Sequence, residues 1–443
     1  MKVVLVSTYD LGRQPFGVAS PAAWLRRAGA DVQAFDLSRQ KVSDAEIANA
    51  DLIAFYLPMH TATRLSLPVI ARVRAANPTA TICAYGLYAS LNEELLSQHG
   101  VSIVLGPEAE ADLVAIASAG EAAVGRLPRL QFIQPDRSGL PSLDRYASLQ
   151  MPDGSRKTVG ATDATRGCKH RCRHCPIVPV YNGEFRVVPV DVVLADIRAQ
   201  VEQGATHITF GDPDFFNGPT HARRIVESLE RDFPGLTYDA IIKVEHLLKH
   251  RELLSVLART GCLFITSAVE SVDDAVLAKL EKGHTRADFM AAAALCRDAG
   301  LTLVPTFVAF TPWTTLDGYI DLLNVVDGLG LAANVAPVQW SIRLLVTWES
   351  RLLELGEIRD SIGPFDAKTL TYPWKHRDPR VDALQPQVMA LAGVQLTRSR
   401  EELFAAVREL AHVARGTAVT PRPFDLVLPS RSAIPYMNEP WYC

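Results

Sequence analysis

The stretch Cys168-Lys-His-Arg-Cys172-Arg-His-Cys175 sets three thiols at a CxxxCxxC spacing within a chain of 443 residues. Three thiols fit no pairing scheme among themselves, but they do fit metal. Thiolates select iron–sulfur clusters or zinc. A cubane of four irons held by three cysteines leaves one iron without a protein ligand, and that iron can take a substrate. Unequal spacings on a flexible loop let three sulfurs reach three corners of one cube. Arg166, Lys169, Arg171 and Arg173 crowd this loop with positive charge and are expected to lower the thiol pKa values. A tetrahedral structural zinc needs a fourth ligand, for which His170 or His174 is at hand. A redox-sensing thiol cluster is the remaining alternative.

The elements that must carry this loop can be read from hydrophobic periodicity. From about residue 156, apolar strand-like runs recur every thirty to forty residues between helical patterns: TVGATDAT, HITFGD, YDAIIK, LFITSAVE, LVPTFVAF and VAPVQWSIRLL. Six such units imply a partial (β/α)6 TIM-type barrel over residues 156–345, with chemistry at the carboxyl ends of its strands. The cysteine loop follows the first of the six. Upstream, residues 1–125 alternate KVVLVS, DVQAFDL, DLIAFYLP, TICAYGLY and VSIVLG with amphipathic stretches, as a Rossmann-like doubly wound parallel sheet does. Its ligand-facing loops fall at 8–17, 57–61, 85–89 and 106–110. Residues 126–155, with Pro, Gly and Ser at short intervals, form a linker. Residues 346–443 form a mostly helical extension, with helices near 380–393 and 399–414 and an aromatic, proline-rich tail ending in Cys443.

Composition narrows the function classes. A net charge of −4 gives no basic field for nucleic acid, and 48% hydrophobic residues suffice for sizeable cores. The N-terminus lacks a signal-peptide h-region and no run reaches the length of a membrane span, so a cytoplasmic protein without nucleic-acid or membrane partners is expected. Seven cysteines suit reduced thiols, three of them committed to metal. Cys83, Cys262 and Cys296 lie in apolar runs and read as core residues.

The cysteine spacing resembles the signature of the radical S-adenosylmethionine (radical SAM) superfamily, with His174 standing where that family usually has an aromatic residue. The resemblance implies a [4Fe–4S] cluster on Cys168, Cys172 and Cys175, SAM chelated at the open iron, reductive cleavage of a C–S bond, and an external electron donor such as flavodoxin or ferredoxin. It also implies SAM-binding groups at later strand ends. Gly211, Asp212 and Asp214 would meet the SAM amino group, with Gly211 allowing close approach. Glu270 and Ser271, followed by a Lys-Gly-His-Thr run, would meet ribose or amino group, and Lys243 or Arg343 would pair with the carboxylate. The first domain resembles the cobalamin-binding unit that precedes many radical SAM domains, although TYDLGRQPFG carries no DxHxxG motif. Met59 and His60 would then face the cobalt, and a domain retained only as a scaffold is the other possibility. GCKHRCRHCPIVPVYNG, GDPDFFNG and the tail MNEPWYC are similar to radical SAM proteins with a CUAEP or CCAEP tail and to the radical SAM enzymes of arsinothricin biosynthesis. That resemblance implies transfer of a 3-amino-3-carboxypropyl group from SAM to a small soft acceptor such as trivalent arsenic, with Cys443 holding the acceptor. Cobalamin-dependent radical methylation of a small metabolite or peptide is the alternative, and an iron–sulfur or zinc redox sensor the non-enzymatic one.

Overall fold

The computed structural model describes residues 1–119, 127–393, 398–418 and 434–439. The first domain is a five-stranded parallel sheet of order β2-β1-β3-β4-β5. Its strands are β1 (Lys2–Ser7), β2 (Asp31–Asp36), β3 (Leu52–Tyr56), β4 (Thr81–Tyr85) and β5 (Ile103–Val104). Both faces of this sheet are covered, which is why its strands are apolar runs and not alternating ones. Val3 and Leu5 pack with Val18, Leu25 and Leu113 of the helices Phe16–Arg27 and Glu110–Ala119. Val4 and Val6 point to the opposite side, against Ile70 and Val73 of the helix His60–Ala76. The strand order reverses between β1 and β3, so the loops after these strands part there and leave a crevice at the carboxyl edge.

A short hairpin of β6 (Leu149–Gln150) and β7 (Arg156–Lys157) leads into the second domain. There β8 (Val159–Thr162), β11 (His207–Phe210), β12 (Thr237–Ile241), β13 (Cys262–Glu270) and β14 (Thr302–Phe307) form one parallel sheet of order β14-β13-β12-β11-β8. Between β8 and β11, the strands β9 (Thr165–Gly167) and β10 (Phe185–Val187) form an antiparallel pair at the carboxyl rim. The sixth barrel position expected from VAPVQWSIRLL is held by a single bridge between Phe310 and Arg343. Pro337 there starts a 3-10 turn, Pro337–Trp340, in place of an extended strand.

The two C-terminal helices, Pro379–Gly393 and Arg400–Arg415, lie within a residue of expectation and close the barrel core through Val388, Phe404 and Val407. The described part of the tail pairs as β15 (Tyr436–Met437) with β6, and Met437 packs near Leu149, Val159 and Phe264, by the starts of β8 and β13. Cys443, offered as a substrate-holding thiol over the carboxyl end of the barrel, lies outside the described residues. Among the described residues no helix is long and apolar enough to cross a membrane.

Candidate active site

The β9–β10 pair presents the cysteine loop. Its first turn requires glycine: Gly167 has φ +77°, and a Cβ there would lie 2.4 Å from the Tyr181 ring and 2.7 Å from the Glu184 carbonyl oxygen. Inside the loop the Cys175 N–H donates to the Cys172 carbonyl (3.2 Å) and the Val178 N–H to that of Cys175 (3.2 Å), which starts the helix Ile177–Tyr181. The barrel grips the base of the loop. Asp212 accepts from the Ala164 N–H (2.9 Å) and the Thr165 hydroxyl (2.6 Å), and Asn217 Nδ2 donates to the Gly167 carbonyl (3.1 Å). Asp212 therefore positions the loop and is not turned to a ligand, a correction of its expected role.

Cys168, Cys172 and Cys175 come together at this rim, near enough that Cys168 feels the charge of Cys172, and Cys175 that of both others. Burial pushes the Cys168 thiol up to about 11 and Cys175 up to about 12. The expected lowering by basic residues does not occur, because their charges are spent elsewhere. Arg173 pairs with Glu281 (2.6 Å) and Glu354 (3.3 Å), Arg166 pairs with two glutamates, and Arg171 is exposed. A bound metal, which deprotonates a coordinating thiol outright, must supply that effect. Among the described residues neither histidine falls in a ligand group with the thiols: His170 groups instead with Asp214 and His246, and His174 Nε2 contacts Glu270 Oε1 (3.1 Å). Three converging thiols, with no fourth ligand beside them among the described residues, fit a cubane with one open iron.

The later strand ends supply the rest of the rim. A register shift between Ala268 and Glu270, with Glu270 at φ +69°, re-aims this side chain toward the cysteine loop. Its carboxylate takes His174 and Lys282 Nζ (3.4 Å). Burial pushes Glu270 up, but Lys282 and His174 together outweigh it and hold the carboxyl at about 2. Lys282 also feels Cys172 and Cys175, so it is a site residue that motif reading missed. Its signal was the Lys-Gly-His-Thr run itself, to which no role had been given. Ser271 accepts from the Asp273 N–H (3.1 Å) in a turn. Lys243 is buried between His170 and Glu245 Oε2 (3.1 Å), and Asp214 meets His246 Nδ1 at 2.6 Å. His246 was not singled out, and it touches His170 only because the fold joins positions far apart in the chain.

Two expected cofactor contacts are corrected. Gly211 lines the cavity between the domains, and the neighbour it lets approach is the chain's own Asp163, whose Oδ1 would lie 2.4 Å from a Cβ there. Arg343 donates to Asp382 (2.8 Å) and the Trp374 carbonyl (2.6 Å) with its guanidinium over the Trp374 ring, so its donors are committed to the C-terminal extension.

The two domains meet at Arg166. Its guanidinium pairs with Glu108 (3.1 Å) from the loop after β5 and with Glu110 (2.8 Å) at the start of the next helix, and Tyr181 donates to Glu108 (2.7 Å). Beside this triad, where the carboxyl edges of both sheets face each other, lies a cavity of about 240 Å³ lined by Asp10, Arg13, Tyr56, Met59, Asp163 and Arg166 among others. Burial pushes Asp10 up to about 7 against the pull of Arg13, and Asp163 up to about 6 against Arg166 and Arg13. A drug-sized ligand needs roughly 300–1,000 Å³, and a corrin is larger than such a ligand. Two glycines of the first domain are closely packed by the chain itself. A Cβ at Gly17 would lie 2.1 Å from the Tyr56 ring, and one at Gly86 2.8 Å from the Leu57 carbonyl oxygen. Met59 lines the cavity, but His60 Nε2 is bonded to the Thr369 carbonyl. With the side chains so placed about 240 Å³ is free here, so a corrin would need Tyr56 and its neighbours to shift.

Residues 163–317 match the model of the radical SAM superfamily. The chain carries a radical SAM domain and is an enzyme whose cofactors are a [4Fe–4S] cluster and SAM. Among curated relatives it is 24% identical over 293 residues to a tRNA-2-methylthio-N(6)-dimethylallyladenosine synthase of Methylococcus capsulatus, and 23% identical over 321 residues to a hopanoid C-3 methylase of the same organism. The matches cover 58% and 68% of this chain and 57% and 62% of those proteins, so it spans less than two thirds of either relative. In fold it is similar to the cobalamin-dependent SAM radical enzyme OxsB with aqua-cobalamin and SAM bound (TM-score 0.72, 15% identity, 93% of this chain and 72% of that one). It is also similar to the radical SAM methyltransferase TsrM from Kitasatospora setae with tryptophan and a SAM analogue bound (TM-score 0.67, 14% identity, 94% and 99%). Both matches run through the two domains.

Proposed function

We propose that this enzyme transfers a SAM-derived methyl group to a small metabolite held in the cavity between the domains. The observation that carries the reading is the position of that cavity. It opens where the loop bearing Cys168, Cys172 and Cys175 meets the carboxyl edge of the first sheet, and Asp163, Thr165, Arg166 and Gly167, which precede the first cysteine, form part of its wall. The bound cluster and SAM supply the reductive C–S cleavage, and the chain supplies orientation and a dry cavity. Cys168, Cys172 and Cys175 hold the cluster, Glu270 and Lys282 fix its loop through His174, and Asp10, Arg13 and Asp163 offer a polar wall to the acceptor. That a methylase and a methyltransferase stand among the relatives and structural neighbours supports this choice. A cobalamin-dependent form of this transfer is the second reading, favoured by the likeness in fold to OxsB with aqua-cobalamin bound, and it requires side chains such as Tyr56 to move within the cavity.

Carboxypropyl transfer to a soft acceptor finds no thiol among the described residues lining the cavity, and the buried Cys83 belongs to the sheet core. The test is anaerobic reconstitution followed by mass spectrometry of the SAM products. S-adenosylhomocysteine formed in step with a methylated acceptor is expected, together with methionine and 5′-deoxyadenosine from a second SAM that is cleaved reductively and takes a hydrogen atom from the acceptor. Methylthioadenosine as the main product would refute methyl transfer and return the soft-acceptor chemistry. A stoichiometric corrin in protein from cobalamin-fed cells would show that the cavity opens to admit one.

A further inference from the structure

We propose that His170, Asp214 and His246 form a second metal site that takes one borderline divalent cation such as Zn²⁺, next to the iron–sulfur centre and separate from its thiols. His170 lies between Cys168 and Cys172, Asp214 just beyond β11, and His246 in the helix Val244–Lys249 after β12. One ligand atom from each falls within 4.8 Å of the others. Asp214 Oδ2 is 2.6 Å from His246 Nδ1 and 3.8 Å from His170 Nε2. These values bracket the ~3.3 Å that separates ligands on a tetrahedral ion with bonds of about 2.0–2.1 Å.

The independent sign is a pair of stranded atoms. The side chains of His246 and Asp214 are 1% and 2% exposed, yet His246 Nδ1 and Asp214 Oδ2 both lack a hydrogen-bond partner. They approach to 2.6 Å out of line for a hydrogen bond with each other. Asp214 Oδ1 is committed to the Phe216 N–H (3.1 Å), which fixes the carboxylate with Oδ2 facing inward. Leaving two such atoms unsatisfied in a buried site is costly, and one cation satisfies both. Two imidazoles and a carboxylate suit zinc, and three protein ligands leave a position open to water or substrate.

A second layer is present. Glu245 Oε2 lies 3.7 Å from His170 Nδ1, the place of the carboxylate that orients a metal-bound histidine. Lys243 Nζ stands 3.0 Å from that same nitrogen and 3.1 Å from Glu245. When Nε2 of His170 binds metal, the ring proton sits on Nδ1. Lys243 must then release the ring and keep only Glu245, and the 3.1 Å contact of His170 Nε2 with His246 Nε2 must also give way. The ammonium therefore competes with the cation.

The test uses the full chain with its cluster reconstituted to about four irons, equilibrated with zinc sulfate, dialysed and assayed for both metals. About one zinc per chain is expected at unchanged iron content and visible absorbance, with a zinc X-ray absorption spectrum showing nitrogen and oxygen neighbours and no sulfur. His246→Gln and Asp214→Asn should weaken zinc retention by more than about tenfold with iron unaffected. Lys243→Met should strengthen it, which keeps the proposal testable should either ligand variant fail to fold. No zinc at full iron occupancy, a zinc shell containing sulfur, or equal retention in the ligand variants would overturn it. None of these readouts depends on which group the enzyme transfers.

Discussion

Replacing Arg166 by Met tests what holds the two domains together at the cysteine loop. The Arg166 side chain is 10% exposed, and Glu108 and Glu110 are 0% and 2% exposed. Met keeps much of the volume but leaves two buried carboxylates facing each other without a cation. A buried ion pair adds little net stability over apolar residues of the same shape, yet removing one partner costs about 3–5 kcal/mol because the remaining charge stays buried. Two stranded charges place the expected loss at or above the lower figure. With a urea m-value near 3 kcal/mol/M this lowers the unfolding midpoint by on the order of 1 M, read by tryptophan fluorescence. The stranded carboxylates can relieve their cost only by binding protons, so the loss should be smaller in mild acid than near neutral pH. Arg166→Met combined with Glu108→Gln and Glu110→Gln should recover most of the stability, since amides carry no charge to strand. A loss below about 1 kcal/mol for the single variant, the range of exposed pairs, would refute the reasoning. A triple variant no better than the single one would do the same.

Two further outcomes follow from the same rim. Cys168→Ala, Cys172→Ala and Cys175→Ala should each abolish the brown chromophore and all SAM cleavage, since a cubane with two protein ligands is poorly held; turnover in any one of them would refute the ligand assignment. For Asp163, whose carboxyl is raised from 3.8 to about 6 chiefly by burial, the stability contribution is full below 3.8 and lost as pH rises through about 6. Asp163→Asn does not titrate, so its urea midpoint should gain on the wild type as pH rises across that window, and parallel pH profiles would exclude the buried carboxyl as the cause.

The sequence located elements well and partners poorly, for a physical reason. Periodicity is local, so β1 through β5 and five of the barrel strands could be read from it, and the strand-end rule then put the cysteine loop, Asp214, Lys243 and Glu270 on one rim. What each charge does there depends on contacts across large sequence separations, such as His174 with Glu270 or Arg166 with Glu108. Glycine in a pattern signals close approach without saying of what. At Gly211 the visitor is the chain's own Asp163. The sixth strand was misread from its apolar run, because a 3-10 turn at Pro337 leaves Arg343 only a bridge to Phe310.

The pairings that composition could not show now order the cations available to a SAM carboxylate. Arg166 is locked between two buried glutamates and Lys282 is held by buried Glu270, so freeing either strands a carboxylate at a cost of several kcal/mol. Lys243 is different. Its carboxylate partner, Glu245, is 40% exposed, so water can take over the charge that Lys243 leaves behind. Of these three cations, Lys243 is the one that can turn to an incoming carboxylate without breaking the frame. Turning it away also releases His170, so binding there and the state of the His170, Asp214 and His246 cluster are linked through a single side chain.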